Sequence, residues 1–211
     1  MMDAIVFDID GTLLDSSGID SRLYIESIKT ILGEVKLRPD WSDYEHVTDQ
    51  GLLRDIIRDN GLSRERELIS QVKRVFLQSI AEHLRTQGPF REIPGARRFV
   101  RALNQSSEMR VAYATGGWTH SAKLKLESAG FPLDDLPLAS SDDHDDRVSI
   151  MRSAAARFPE STNRVIYFGD AIWDQRACEE LGWQFVAVGT ALGGIENFDS
   201  VERFIDQIRK N

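Results

Sequence analysis

Residues 4–14 read Ala4-Ile5-Val6-Phe7-Asp8-Ile9-Asp10-Gly11-Thr12-Leu13-Leu14. Ile5-Val6-Phe7 is a short apolar run of the kind that forms a buried strand. Two carboxylates follow at i and i+2, and in extended chain those positions share a face. Gly11 then permits a sharp turn at the strand end. Like charges this close repel unless a proton or a cation lies between them. A strand end that gathers acids suits Mg2+, which commonly serves phosphate-bearing substrates. The alternative is an acidic turn with no chemical role, because aspartate favours turns.

Working outward, the run Val165–Phe168 also reads as a strand and ends in Gly169-Asp170, with Asp174 four residues on. A helix that begins after Asp170 carries Asp174 back over the strand end. If both strands belong to one parallel sheet, both acid pairs face one crevice. A third strand, Arg110–Ala114, closes in Thr115-Gly116-Gly117-Trp118. A hydroxyl followed by glycines at a strand-to-helix turn suits an oxyanion, although most such turns are only turns.

In this order the segments resemble the haloacid dehalogenase-like superfamily, over residues 4 to 190. Its first motif, Asp-x-Asp-Gly-Thr after a strand, is matched by Asp8-Ile9-Asp10-Gly11-Thr12. Its second, a Thr or Ser closing a hydrophobic strand, is matched by Thr115. Its fourth, an acidic signature, is matched by Gly169-Asp170-Ala-Ile-Trp173-Asp174. The third is a Lys or Arg near a helix start. No lysine lies between Lys125 and Lys210, and Arg147, after the strand at 137–139 and near a helix start, is the best candidate. The competing reading pairs Arg147 with Asp143 or Asp146 on the surface.

The resemblance implies roles. Asp8 is the nucleophile that forms an aspartyl-phosphate, and Asp10 is the general acid and then base. Mg2+ is held by Asp8, the Asp10 main-chain carbonyl and Asp170, with Asp174 assisting directly or through water. Thr115 and the Gly116 N–H bind phosphate oxygen, Thr12 is a further substrate contact, and Arg147 spreads charge. An alkoxide leaving group needs a proton and a halide does not, so Asp10 favours phosphate esters over dehalogenation. The function implied is a Mg2+-dependent phosphatase acting on a small phosphorylated metabolite. A sugar phosphomutase and a non-catalytic phosphate-binding protein are the alternatives.

The rest of the chain fits an α/β fold, a doubly wound (Rossmann-like) parallel sheet with an inserted all-helical cap. Strands are expected at 4–8, 110–115, 137–140, 164–169 and 184–189, with helical patterns between the later ones. Residues 16–88 carry three amphipathic patterns and no strand: Tyr24 to Val35, Leu52 to Ile57, and Leu68 to Leu84. The expected division is a core of 1–15 with 89–211 and a cap of 16–88, hinged near Asp15–Gly18 and Thr86–Pro89. Such a lid excludes unwanted water.

In the cap, the connector Trp41 to Gly51 is the expected place for recognition, with Thr48 and Asp49 as substrate contacts. Trp41 and Tyr44 serve either recognition or the cap's own core. Asp142 to Asp146, with His144 among them, has the look of a metal cluster but reads as a solvated helix start, because aspartate favours caps and first turns. Trp173 faces the lid or, as the default for a Trp on a helix, packs beneath the site. The 211-residue chain has one cysteine, Cys178, read as core, so no internal disulfide forms and a cytoplasmic setting is expected. A net charge of −8 argues against a nucleic-acid partner. No apolar run of about 18 residues exists to span a membrane. Monomer and homodimer both stay open.

Overall fold

The computed structural model describes residues 2–134, 136–158 and 162–199. The apolar pattern Val201, Phe204, Ile205 and Ile208 lies outside them. The strands are β1 (Met2–Phe7), β2 (Met109–Ala114), β3 (Leu138–Ala139), β4 (Thr162–Gly169) and β5 (Gln184–Ala187). All pair in parallel, in the order β3-β2-β1-β4-β5. Phe7 is level with Tyr113 on one side and Phe168 on the other. Asp8, Thr115 and Asp170 therefore leave the sheet at one edge. The strand order reverses beside β1, and ligands of open α/β sheets bind in the crevice at that point.

Burial on both faces explains the continuous apolar strands. Ile5, Phe7, Val111, Tyr113, Ile166 and Phe168 share one cluster with Phe99 and Val100 of α4 (Ala96–Asn104) and Ala122 and Leu126 of α5 (Thr119–Ser128). Val6, Ala112, Ala114 and Tyr167 share another with Ile150 and Met151 of α6 (Arg147–Ala155) and Ala177 and Cys178 of α7 (Ile172–Leu181). Helices on both faces make the sheet doubly wound, as the alternation of strand and helix requires. Cys178 is core.

Between β1 and β2 lie α1 (Ser17–Leu32), a 3-10 turn (Trp41–Asp43), α2 (Asp49–Asp59) and α3 (Glu65–Gln87). α1 stops before Val35, because Gly33 takes φ 75° and ends the helix at Leu32. Ser17 and Gly18, expected in the hinge, form the first turn of α1. The connections to and from the insert run side by side. Asp15 N–H donates to Arg91 C=O and Ile93 N–H to Leu13 C=O, both at 2.9 Å. The insert also shares its core with the sheet layer: Trp118, before α5, packs at 5.8 Å against both Tyr24 of α1 and Phe76 of α3. Truncating a buried aromatic of this kind costs about 3–5 kcal/mol.

Candidate active site

Asp8 follows β1 directly, and its N–H donates to Phe168 C=O at 2.9 Å, so β4 fixes its backbone. Asp170 leaves β4 one residue past the sheet. Asp174 lies in the first turn of α7 and folds back as the four-residue spacing requires. The three carboxylates each offer an oxygen within 4.8 Å of the others. Gly169 permits this: a Cβ there would sit 2.7 Å from Asp174 Oδ2. Asp174 is oriented by the Ala171 N–H and the Tyr167 hydroxyl, each donating at 3.4 Å.

Arg147 opens α6, whose N-terminus Asp146 caps by accepting from Ser149 N–H at 2.7 Å. Its Nη1 is 3.2 Å from Asp8 Oδ1 and its Nε 3.3 Å from Asp174 Oδ1. The surface pairing with Asp143 or Asp146 does not form. Gly116 makes room for the guanidinium, since a Cβ there would be 2.9 Å from Arg147 Nη2.

One guanidinium faces three carboxylates, and the acids respond. Burial, then the Asp174 charge, pushes the Asp170 carboxyl up to about 7, with Arg147 opposing. The same two causes raise Asp8 well above the usual range, and burial raises Asp174. Burial alone would favour neutral Arg147, but Asp174 and Asp8 outweigh it and hold it charged. A buried, net-negative, all-oxygen set fits a hard divalent cation.

Asp10 does not join this cluster. Its carboxylate turns toward α5, where Lys125 Nζ donates to Oδ1 at 2.7 Å and Oδ2 at 2.6 Å. Lys125 also donates to Asp20 Oδ1 of α1 at 2.5 Å. The Asp20 carboxyl is pushed up to about 6 by burial, although Lys125 pulls the other way. Sequence reasoning missed both residues. The signal lay in Lys125 itself, a charge three residues past Ala122 on the apolar stripe of α5.

Gly11 turns the chain at φ 84°, and a Cβ there would overlap the Asp170 carboxylate. This turn tucks Thr12 inward. Thr12 is fully buried, its hydroxyl has no partner among the described residues, and it is absent from the cavity wall. Thr12, expected as a substrate contact, thus faces the interior and not the cavity. Thr115 is buried at the end of β2, its N–H donating to Ala139 C=O and its Oγ1 accepting from Gly117 N–H, both at 3.0 Å.

A cavity of about 860 Å3 lies between these strand ends and the helical insert. Asp8, Asp10, Thr115, Gly116, Arg147 and Asp170 line its floor, and Thr48 and Asp49 its wall. Thr48 caps α2, accepting from Gly51 N–H at 3.1 Å while donating to Asp145 C=O at 2.6 Å. Asp49 N–H donates to Gly116 C=O at 2.8 Å, and its Oδ2 accepts from Trp118 N–H at 3.0 Å. Both residues thus dock the insert on the sheet layer while facing the cavity. Trp41 lines the cavity, whereas Tyr44 is buried and its hydroxyl accepts from Arg38 N–H at 2.8 Å. Trp173 lines the cavity instead of packing beneath it.

The 142–146 loop does more than start a helix. Asp142 pairs with Lys73 of α3 and Asp145 with Arg54 of α2, while Asp143 accepts from Ser140 N–H at 2.9 Å. Sequence spacing could not reveal these long-range partners. His144 bonds Ser153 at 2.7 Å, and among the described residues it joins no group of acids placed to hold a metal.

The model of the haloacid dehalogenase-like hydrolases, a hydrolase family, matches residues 2–182. The chain belongs to this family. No curated protein matches it. It is similar in structure to a hydrolase from Pseudomonas syringae, with TM-score 0.75 and 21% identity over 98% of this chain and 99% of that one. A β-phosphoglucomutase from Clostridium difficile superposes with TM-score 0.75 and 14% identity over 100% and 98%. A putative phosphoglycolate phosphatase from Lactobacillus plantarum does so with TM-score 0.59 and 18% identity over 89% and 86%. At these identities the likeness establishes the fold. Among the described residues no helix is long and apolar enough to cross a membrane.

Proposed function

We propose that the protein is a Mg2+-dependent phosphatase that hydrolyses a small phosphate monoester through an aspartyl-phosphate on Asp8. The observation that carries this is the Asp8 carboxylate at the cavity floor. It stands 3.2 Å from a buried guanidinium and beside two further carboxylates. A carboxylate so placed can attack phosphorus while its surroundings take up charge.

Asp8, Asp170 and Asp174 would hold Mg2+, with the Asp10 main-chain carbonyl as a further donor. Bound there, the cation would neutralise phosphoryl oxygens and lower the repulsion that Asp8 meets on attack. Arg147 supplies fixed positive charge on the same side, taking the lysine's place in the family motif. Thr115 and Gly116 flank the oxygens. Asp10 gives a proton to the departing ester oxygen, then takes one from the water that releases phosphate. The helical insert, docked through Thr48 and Asp49, limits water at the floor.

Hydrolysis is preferred to mutase chemistry on one observation. A mutase must also hold its phosphoryl acceptor, often a second phosphate. The cavity wall carries Asp20, Asp40 and Asp49. Its cation away from the floor, Arg38, is already held by both Asp59 oxygens at 2.8 and 3.1 Å. Intact Asp8, Asp10 and Asp170 weigh against a merely binding role. The partner is a small phosphorylated metabolite, not nucleic acid. Phosphate release from an ester panel, with and without Mg2+, tests the reading. No turnover on any ester would remove it.

A further inference from the structure

Lys125 has no part in the reaction as written above. Its side chain is 1% exposed, and it is absent from the cavity wall. A buried ammonium is costly unless its donors are satisfied. Lys125 spends its three donors on Asp10 Oδ1, Asp10 Oδ2 and Asp20 Oδ1, at 2.7, 2.6 and 2.5 Å. Ser16, at the entry to the helical insert, adds a fourth contact by donating to Asp10 Oδ1 at 2.5 Å. Oδ1 is thereby held twice. Oδ2 lies on the side of Gly117, where a Cβ would come within 3.9 Å of it.

Two features separate this arrangement from an ordinary structural ion pair. One acceptor is the residue two positions past Asp8, on the cavity floor. The other belongs to α1, so the pair joins the helical insert to α5 of the sheet layer.

We propose that Lys125, pinned by Asp20, is a positioning residue that aims the Asp10 carboxyl at the reacting oxygen only while the helical insert sits on the sheet. The inference rests on the phosphatase reading. In the first step the ester P–O bond breaks, the Asp8–P bond forms, and the ester oxygen takes the Asp10 proton. In the second, water attacks phosphorus and gives a proton to Asp10. The Asp8–P bond then breaks, phosphate leaves and Asp10 is restored. Both transfers require Asp10 at hydrogen-bond distance from its partner, and a misplacement of about 1 Å can cost about 10²-fold. If α1 moved away, Asp20 would leave Lys125 and Asp10 would lose part of its anchor.

The test compares benzyl phosphate, whose leaving alkoxide needs a proton, with 4-nitrophenyl phosphate, whose leaving group scarcely does. Lys125→Met is expected to lower kcat/KM about 10²-fold on the benzyl ester, with a far smaller loss on the nitrophenyl ester. Asp20→Asn, which leaves the lysine on Asp10 and the floor intact, should show the same selectivity at about 10-fold. Equal losses on both esters would overturn the proposal. The structure of the Lys125→Met/Asp20→Asn protein, which neutralises both charges together, decides independently of turnover. Asp10 is expected to leave Ser16, and an unmoved Asp10 carboxylate overturns the positioning role. Absence of turnover on any phosphate ester would instead remove the phosphatase reading, and turnover that persists in Asp8→Asn the covalent role of Asp8, with the structural result still deciding the positioning of Asp10.

Discussion

The acid cluster predicts how metal-free stability depends on pH. Asp170 faces Asp8 after β1, Asp174 on α7, Arg147 on α6 and, more distantly, Asp10. Its carboxyl keeps its proton up to about 7, against an ordinary 3.8. The folded chain therefore binds this proton more tightly than the unfolded chain does. The stabilisation is complete below about pH 4 and is lost as pH rises through about 7. At about 1.4 kcal/mol per pH unit the loss reaches about 4 kcal/mol, which partial solvent access trims to about 2–3. Asp20, raised to about 6, has the same sign. For a domain of this size that corresponds to a fall in Tm of about 5–10 °C between about pH 4 and pH 8. Mg2+ must displace these protons to bind, so its stabilisation should be larger at the higher pH. With the cation at about 100 times its Kd, that stabilisation is about 2.7 kcal/mol. Thermal melts at the two pH values, with EDTA or Mg2+, read both effects, and Asp170→Asn should flatten them. A metal-free Tm that rises across the range, or a Mg2+ shift of equal size at both pH values, would refute the reasoning.

Other consequences are separable. Gly11→Ala places a side chain at φ 84° against the Asp170 carboxylate; about 1–2 kcal/mol of stability should go, with Mg2+ affinity falling by calorimetry. Thr48→Ala removes the α2 cap and the bond to Asp145, so denaturant unfolding should show a loss of about 1–2 kcal/mol. The acidic wall at Asp20, Asp40 and Asp49 should disfavour substrates with a second anionic group. Sugar bisphosphates are expected to show kcat/KM at least about 10-fold below matched monophosphates, and Asp40→Asn, which removes the carboxylate that Ser42 holds below the usual range, should narrow that gap. Equal rates on both classes would contradict the account of the wall.

The sheet and the floor of the site were legible because their signals are local. Apolar runs ending in Asp8, Thr115 and Gly169-Asp170 mark strand ends, and a parallel sheet must then bring those ends together. Arg147 followed from the resemblance, and its Nη1 lies 3.2 Å from Asp8 Oδ1. What could not be read depends on partners far along the chain. Lys125 meets Asp10 and Asp20 across more than a hundred residues, and spacing rules do not reach that far. The inward direction of Thr12 is not legible in the motif, because the turn at Gly11 decides whether the next side chain faces the cavity or the interior. The loop at Asp142 and Asp145 reads as solvated in sequence only because Lys73 and Arg54 come from distant helices.

In the mechanism proposed above, Asp8 carries the phosphoryl group between the two steps. The most direct measurement is acid-quench mass spectrometry of the protein during turnover of a phosphate ester with Mg2+, beside Asp8→Asn. The account predicts a phosphorylated peptide at Asp8 in the unmodified protein, with neither adduct nor turnover in the variant. Phosphate release that continues in Asp8→Asn, or an adduct on any other residue, would contradict it.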